Sequence, residues 1–106
     1  MNEQIIITQN DSGIELEVQF LDKNKNPIDI SNCNVEIGFK NPNGEVKQYQ
    51  AYIKNYINGI AGIILDSDKT SIEGLWSTYW SVINVDGFVT GQEAVYYYVM
   101  PMYGGD

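Results

Sequence analysis

Gly74-Leu75-Trp76-Ser77-Thr78-Tyr79-Trp80-Ser81-Val82-Ile83 is followed, past Asp86-Gly87, by Ala94-Val95-Tyr96-Tyr97-Tyr98-Val99-Met100. β-Branched and aromatic residues dominate both runs, and these suit a pleated, half-buried surface. Asp-Gly between two such runs signals a β-hairpin, because glycine accepts the positive φ that a tight turn needs. With Asp86-Gly87 as a two-residue turn, Trp76 opposes Tyr97 and Thr78 opposes Val95 on one face. Leu75 then opposes Tyr98, Ser77 opposes Tyr96 and Tyr79 opposes Ala94 on the other. Each face makes chemical sense: one supplies a core, the other carries exposed rings.

The rest of the chain repeats the strand pattern at intervals of 8 to 12 residues, with turn signals between. Ile5-Ile6-Ile7-Thr8, within Glu3 to Gln9, reads as a first strand. Ile14, Leu16, Val18 and Phe20 alternate with Glu15, Glu17 and Gln19, the signature of a strand buried on one side. Ile28 and Ile30 form a short apolar pair after Pro27. Cys33, Val35, Ile37 and Phe39 alternate again, up to the turn Asn41-Pro42-Asn43-Gly44. Glu45 to Ile53 is a polar strand, placed at an edge by Lys47, Gln48 and Gln50. Asn58-Gly59 leads into Ile60 to Leu65, and Asp66 to Ile72 has room for one helical turn. No helical period competes, so the chain is all-β, an antiparallel sandwich or barrel. Residues 1–100 form one domain of about seven or eight strands, and 101–106 leave strand composition as a tail or the start of a linker. The expected core includes Val18, Phe20, Val35, Ile37, Ile63, Leu65, Trp76, Val95 and Tyr97.

Composition narrows function more than it defines it. The chain has 106 residues, 6 lysines, no arginine, no histidine and 14 acidic residues, for a net charge of −8. That field repels phosphate backbones and anionic lipid, so neither nucleic acid nor membrane is an expected partner. No apolar run approaches the roughly 20 residues of a membrane span, and the start lacks a secretion signal. Without histidine the usual general base is missing, and no serine or cysteine can be given a histidine partner. Asp22, Asp29, Asp66, Asp68 and Glu73 sit in turn-like segments, where aspartate bonds its own backbone. Asp66-Ser67-Asp68 with Glu73 lacks the spacing of a calcium loop. Cys33 lies on an apolar strand face, as buried filler. No enzyme, metal or cofactor is expected, nor a small-molecule ligand.

What remains is the outer aromatic set Leu75, Tyr79, Tyr96 and Tyr98. It fits a protein interface, where tyrosine is enriched, or sugar stacking, or ordinary cross-strand packing that binds nothing. The polar strand around Glu45 to Ile53 is a second candidate contact surface.

The order of these elements resembles the N-terminal domain family of phage baseplate upper proteins. The likeness is carried by Leu16-Glu17-Val18-Gln19-Phe20-Leu21-Asp22, then Asn26-Pro27-Ile28-Asp29-Ile30, then Val35 to Gly44 with its Pro-x-Gly turn. Gly62-Ile63-Ile64-Leu65, Gly74-Leu75-Trp76, Asp86-Gly87 and Tyr96 to Val99 complete it, over residues 13 to 100. The resemblance implies an immunoglobulin-like sandwich with a structural role in the virion, assembled in the host cytoplasm. It implies attachment within a baseplate or tail fibre through protein contacts, with other virion proteins or further copies of this chain as partners. The alternative class is a carbohydrate-binding sandwich, suggested by the tryptophans and tyrosines.

Overall fold

The structure, a computed structural model, describes residues 5–101, leaving aside the side chains of 92–94. Among these residues are seven strands: β1 (Ile5–Thr8), β2 (Ile14–Gln19), β3 (Asn34–Lys40), β4 (Val46–Asn55), β5 (Ile60–Leu65), β6 (Gly74–Asn84) and β7 (Gly87–Met100). One 3-10 turn, Ser67–Lys69, precedes β6. The chain is all-β, as its alternation requires. Glu3 and Gln4 of the expected first strand, and 102–106 of the expected tail, lie outside the described residues.

Ladder order is β1-β7-β6-β3-β4-β5-β2, and the row folds over on itself at β4. Val46 to Ala51 pair with β3, whereas Tyr52 to Asn55 pair with β5. A register shift between Ile53 and Asn55 accompanies the bend. The expected edge placement holds within each layer, but the strand as a whole also joins the two layers. β4 is the corner strand of a sandwich, although each half is paired on one side only in its own sheet. Its polar residues sit where each half faces water. β1 is the other departure: it runs parallel to β7, Ile5 beside Tyr97 through Thr8 beside Met100, so the sheet is mixed.

The two layers close on one apolar cluster. Leu16 and Val18 of β2, Val35, Ile37 and Phe39 of β3, and Ala61, Ile63 and Leu65 of β5 are buried there. Trp76, Trp80 and Val82 of β6 meet Tyr97 and Val99 of β7 in the same cluster. Of the expected core, Val95 is only partly buried and the rest is buried. Trp76 stacks on Tyr97 with ring centroids 5.7 Å apart and planes 15° from parallel. Polar atoms inside are paired: Trp76 Nε1 donates to the Ile72 carbonyl, Trp80 Nε1 to Thr78 Oγ1, and Thr78 Oγ1 to the Val95 carbonyl. Among the described residues no buried side-chain nitrogen or oxygen lacks a partner, as a low-dielectric interior demands.

The loop between β2 and β3 explains the Ile28/Ile30 pair. Phe20 N donates to the Gly59 carbonyl and Ile28 N to the Phe20 carbonyl, which ties the loop to the β4–β5 turn. Ile30 is fully buried as a plug. Gly59 is obligatory there: its φ is +67°, and a Cβ would run into the Ile28 carbonyl.

A candidate interface on the outer sheet face

The hairpin forms, with its turn one position earlier than the sequence suggests. Asn84 faces Gly87, so Val85 and Asp86 are the loop residues. Asn84 Oδ1 accepts the Asp86 N–H at 2.8 Å, and Gly87 closes the turn at φ +115°, a value that favours glycine. Two register shifts, between Val82 and Ile83 and between Thr78 and Tyr79, then realign the strands. Beyond them Thr78 faces Val95, Trp76 faces Tyr97 and Leu75 faces Tyr98, as expected. Tyr79 pairs with Glu93 rather than Ala94.

Because the bulges restore the register, the outer face carries the expected residues. Leu75 (51%), Tyr79 (48%), Tyr96 (51%) and Tyr98 (37%) are exposed and alternate with the buried Trp76, Thr78, Trp80, Tyr97 and Val99. Pairing adds Ile6 beside Tyr98 from β1, and Met100 follows on β7. The sequence could not place Ile6 here, since β1 joins this sheet through a parallel pairing distant in sequence. Across β3 the row continues through Lys40 to the exposed Val46 of β4. Exposed aromatic and apolar side chains gathered on one sheet face point to a contact surface.

The face is not flat. Gly38 lies at its centre between Tyr79 of β6 and Gln48 of β4. Lacking a side chain, it floors a hollow of about 400 Å³. Tyr79 and Tyr96 wall one side, Val46 and Gln48 the other. The Tyr79 hydroxyl reaches over Gly91, where no Cβ could fit beside it. Glu36 and Lys40 stand at opposite ends of the hollow on β3, and neither forms an ion pair among the described residues.

The other acids have local tasks. Asp22 Oδ1 accepts the Asn24 and Asn26 N–H groups and closes its turn. Asp29 Oδ1 accepts Ser31 Oγ and N, and these bonds hold its pKa below the ordinary carboxylate value. Asp66 binds the Lys69 ammonium through both oxygens at 3.1 Å. Lys69 is buried, with its nitrogen 3.9 Å from the centre of the Tyr49 ring, and its carbonyl takes the Tyr97 hydroxyl at 2.6 Å. Burial pushes the Tyr97 phenol well above its usual range. This lysine closes one end of the sandwich as a cation–π plug. Sequence reading missed it, and the signal was the Asp66/Lys69 pair at a three-residue spacing. Cys33 is half-buried against the core, its thiol directed at the Ser31 carbonyl.

On the opposite layer, Lys54 binds Glu17 at 2.7 Å and Glu15 at 3.0 Å, and the Tyr52 hydroxyl donates to Glu15. The Tyr52 bond first, then Lys54, lowers the Glu15 pKa, and the same carboxylate raises that of Tyr52. Bonding to Glu17, then to Glu15, raises that of Lys54. The acidic charge of the β2 face is thus partly neutralised in place.

With this geometry in hand, comparison with solved structures finds the same fold in the N-terminal domain of phage TP901-1 ORF48. The TM-score is 0.73 at 12% sequence identity, covering 92% of this chain and 84% of that one. No family model and no curated protein matches the sequence.

Proposed function

We propose that this chain is a structural module of a phage virion, attaching parts of a baseplate or tail fibre through protein contacts. The observation that carries this reading is the shared fold with the N-terminal domain of a phage protein over nearly the whole chain. The ordered likeness of residues 13 to 100 to the immunoglobulin-like N-terminal domains of baseplate upper proteins supports it. Fold alone hosts many functions. The surface supplies the second support: an aromatic face with little charge, the composition of an interface core. In this reading Leu75, Tyr79, Tyr96 and Tyr98 form the contact surface, and binding rather than catalysis is the task.

The test is direct. Virions from the producing host are purified and analysed by mass spectrometry, and tails are labelled with antibody raised against the domain. The chain should be found in the particle, with label at the tail. Absence from virions, or selective binding on a glycan array lost in a Tyr96→Ser/Tyr98→Ser variant, would replace this reading with the carbohydrate-binding one.

A further inference from the structure

The hairpin that builds the outer face also ends in a feature the attachment role does not use. β3 begins at Asn34, opposite Ile83, so the stretch from Asn84 to Gly87 overhangs the sheet. At its apex Val85 is 99% exposed, and Phe88 beside it is 64% exposed. Valine is a poor choice for a turn, where Asn, Asp, Gly, Pro and Ser are favoured. A β-branched residue in full solvent at the tip has no packing task in this fold, and the Phe88 ring, though its edge leans toward Gly91 beside the Tyr79 hydroxyl, keeps most of its surface in water. The same chain carries an unfilled, largely apolar hollow over Gly38.

We propose that the hairpin tip of one copy docks in the Gly38 hollow of the next, making a head-to-tail assembly. Charge suits a second copy as occupant and sets its direction. Asp86 lies between Val85 and Gly87 at the tip, and Lys40 stands at one end of the hollow with Glu36 at the other. Asp86 and Lys40 have no ion-pair partner within the chain among the described residues. A tip entering with Asp86 toward Lys40 seats Val85 and Phe88 between Tyr79, Tyr96 and Val46. The reverse entry sets Asp86 against Glu36. A tip cannot reach its own hollow: Tyr79 and Asn84 belong to one strand, five residues or roughly 17 Å apart along a straight path. The contact uses two different patches, so it is heterologous and propagates into a ring or an open chain. This deepens the attachment reading by naming a second copy as one occupant of the same face. Its failure would leave the presence of the chain in virions unaffected.

Two variants separate the halves of the contact. Val85→Ser/Phe88→Ser removes the knob with a residue suited to turns. Gly38→Gln fills the hollow; a Cβ there meets only Val46 Cγ1 at 3.8 Å and the Tyr79 carbonyl at 4.0 Å, ordinary contacts. Val85→Asn and Tyr96→Ser serve as second versions should either variant fail to melt cooperatively. Sedimentation velocity is run up to about 1 mM, the weak end of useful affinity. Wild type should gain mass with concentration beyond one 12.0 kDa chain. Each variant alone should stay monomeric. An equimolar mixture should form a pair and stop there, because one chain lends its tip and the other its hollow. A monomeric wild type, a mixture that stays monomeric, or dimers in both variants alone would overturn the proposal.

Discussion

Trp76 gives the sharpest measure of the core. Its ring is 4% exposed, lies flat on Tyr97, and holds the Ile72 carbonyl through Nε1 at 2.8 Å. Replacing it with alanine removes all three contributions. Truncation of a buried tryptophan costs about 3–5 kcal/mol, because packed neighbours cannot collapse into the space. Trp76→Phe divides that sum. It keeps most of the stacking, worth about 0.5–1.5 kcal/mol, and loses the hydrogen bond, worth about 1 kcal/mol. The phenylalanine variant should therefore lose about 1–2 kcal/mol. Against a total of about 5–15 kcal/mol, the alanine variant stands near the threshold of folding. Urea unfolding followed by far-UV dichroism reads both, with Trp80 as an internal fluorescent probe. At roughly 4 °C per kcal/mol for a domain of this size, alanine should lower Tm by about 12–20 °C. A loss below about 1 kcal/mol for Trp76→Ala would refute the packing argument. Equal losses for the two variants would show that the hydrogen bond, rather than the stack, carries the site.

Gly59→Ala should destabilise far more than Gly44→Ala: both need positive φ, but only at Gly59 does a Cβ meet backbone, and thermal melts will rank them. Glu15 has a lowered pKa in the fold, so its contribution is complete above the ordinary value of 4.5 and lost as pH falls through the depressed folded value. Acid titration of stability should consequently be steeper in wild type than in Tyr52→Phe, which lacks the principal bond; parallel curves would show that Lys54 alone sets the shift. Added calcium should leave Tm unchanged, because Asp66 already holds the Lys69 ammonium with both oxygens; a rise of several degrees would reveal a cation site at Asp66 to Glu73.

The strands with one buried face were legible because side chains alternate with a period of two. Leu16-Val18-Phe20 and Val35-Ile37-Phe39 needed nothing beyond local pattern. The Asn41–Gly44 turn was equally local: Asn41 Oδ1 accepts the Asn43 and Glu45 N–H groups, and Gly44 takes φ +87°. Apart from the hairpin turn, the failures are non-local. Strand polarity in β4 reflects two half-edges in different sheets, which one-dimensional pattern cannot tell from a single edge. The parallel pairing of β1 with β7 joins residues some ninety positions apart, beyond the reach of any turn signal. The burial of Lys69 was not read from the sequence, since lysine is seldom buried and only the folded chain brings Tyr49 and Asp66 around it. At the hairpin the loop stands one position earlier, at Val85 and Asp86, and two register shifts return the strands to the expected pairing. Leu75, Tyr79, Tyr96 and Tyr98 therefore share the outer face although the turn stands one position earlier.

The parallel β1–β7 pairing has a mechanical consequence. Tension that enters through the start of β1 and leaves through the end of β7 pulls two neighbouring parallel strands in opposite directions along their length. The hydrogen bonds from Ile5 to Thr8 and from Tyr97 to Met100 then share the load and must break together. An antiparallel hairpin pulled at its open end would instead peel one bond at a time. Under force this domain should fail at one high threshold, with β1 shearing from β7 before the core opens.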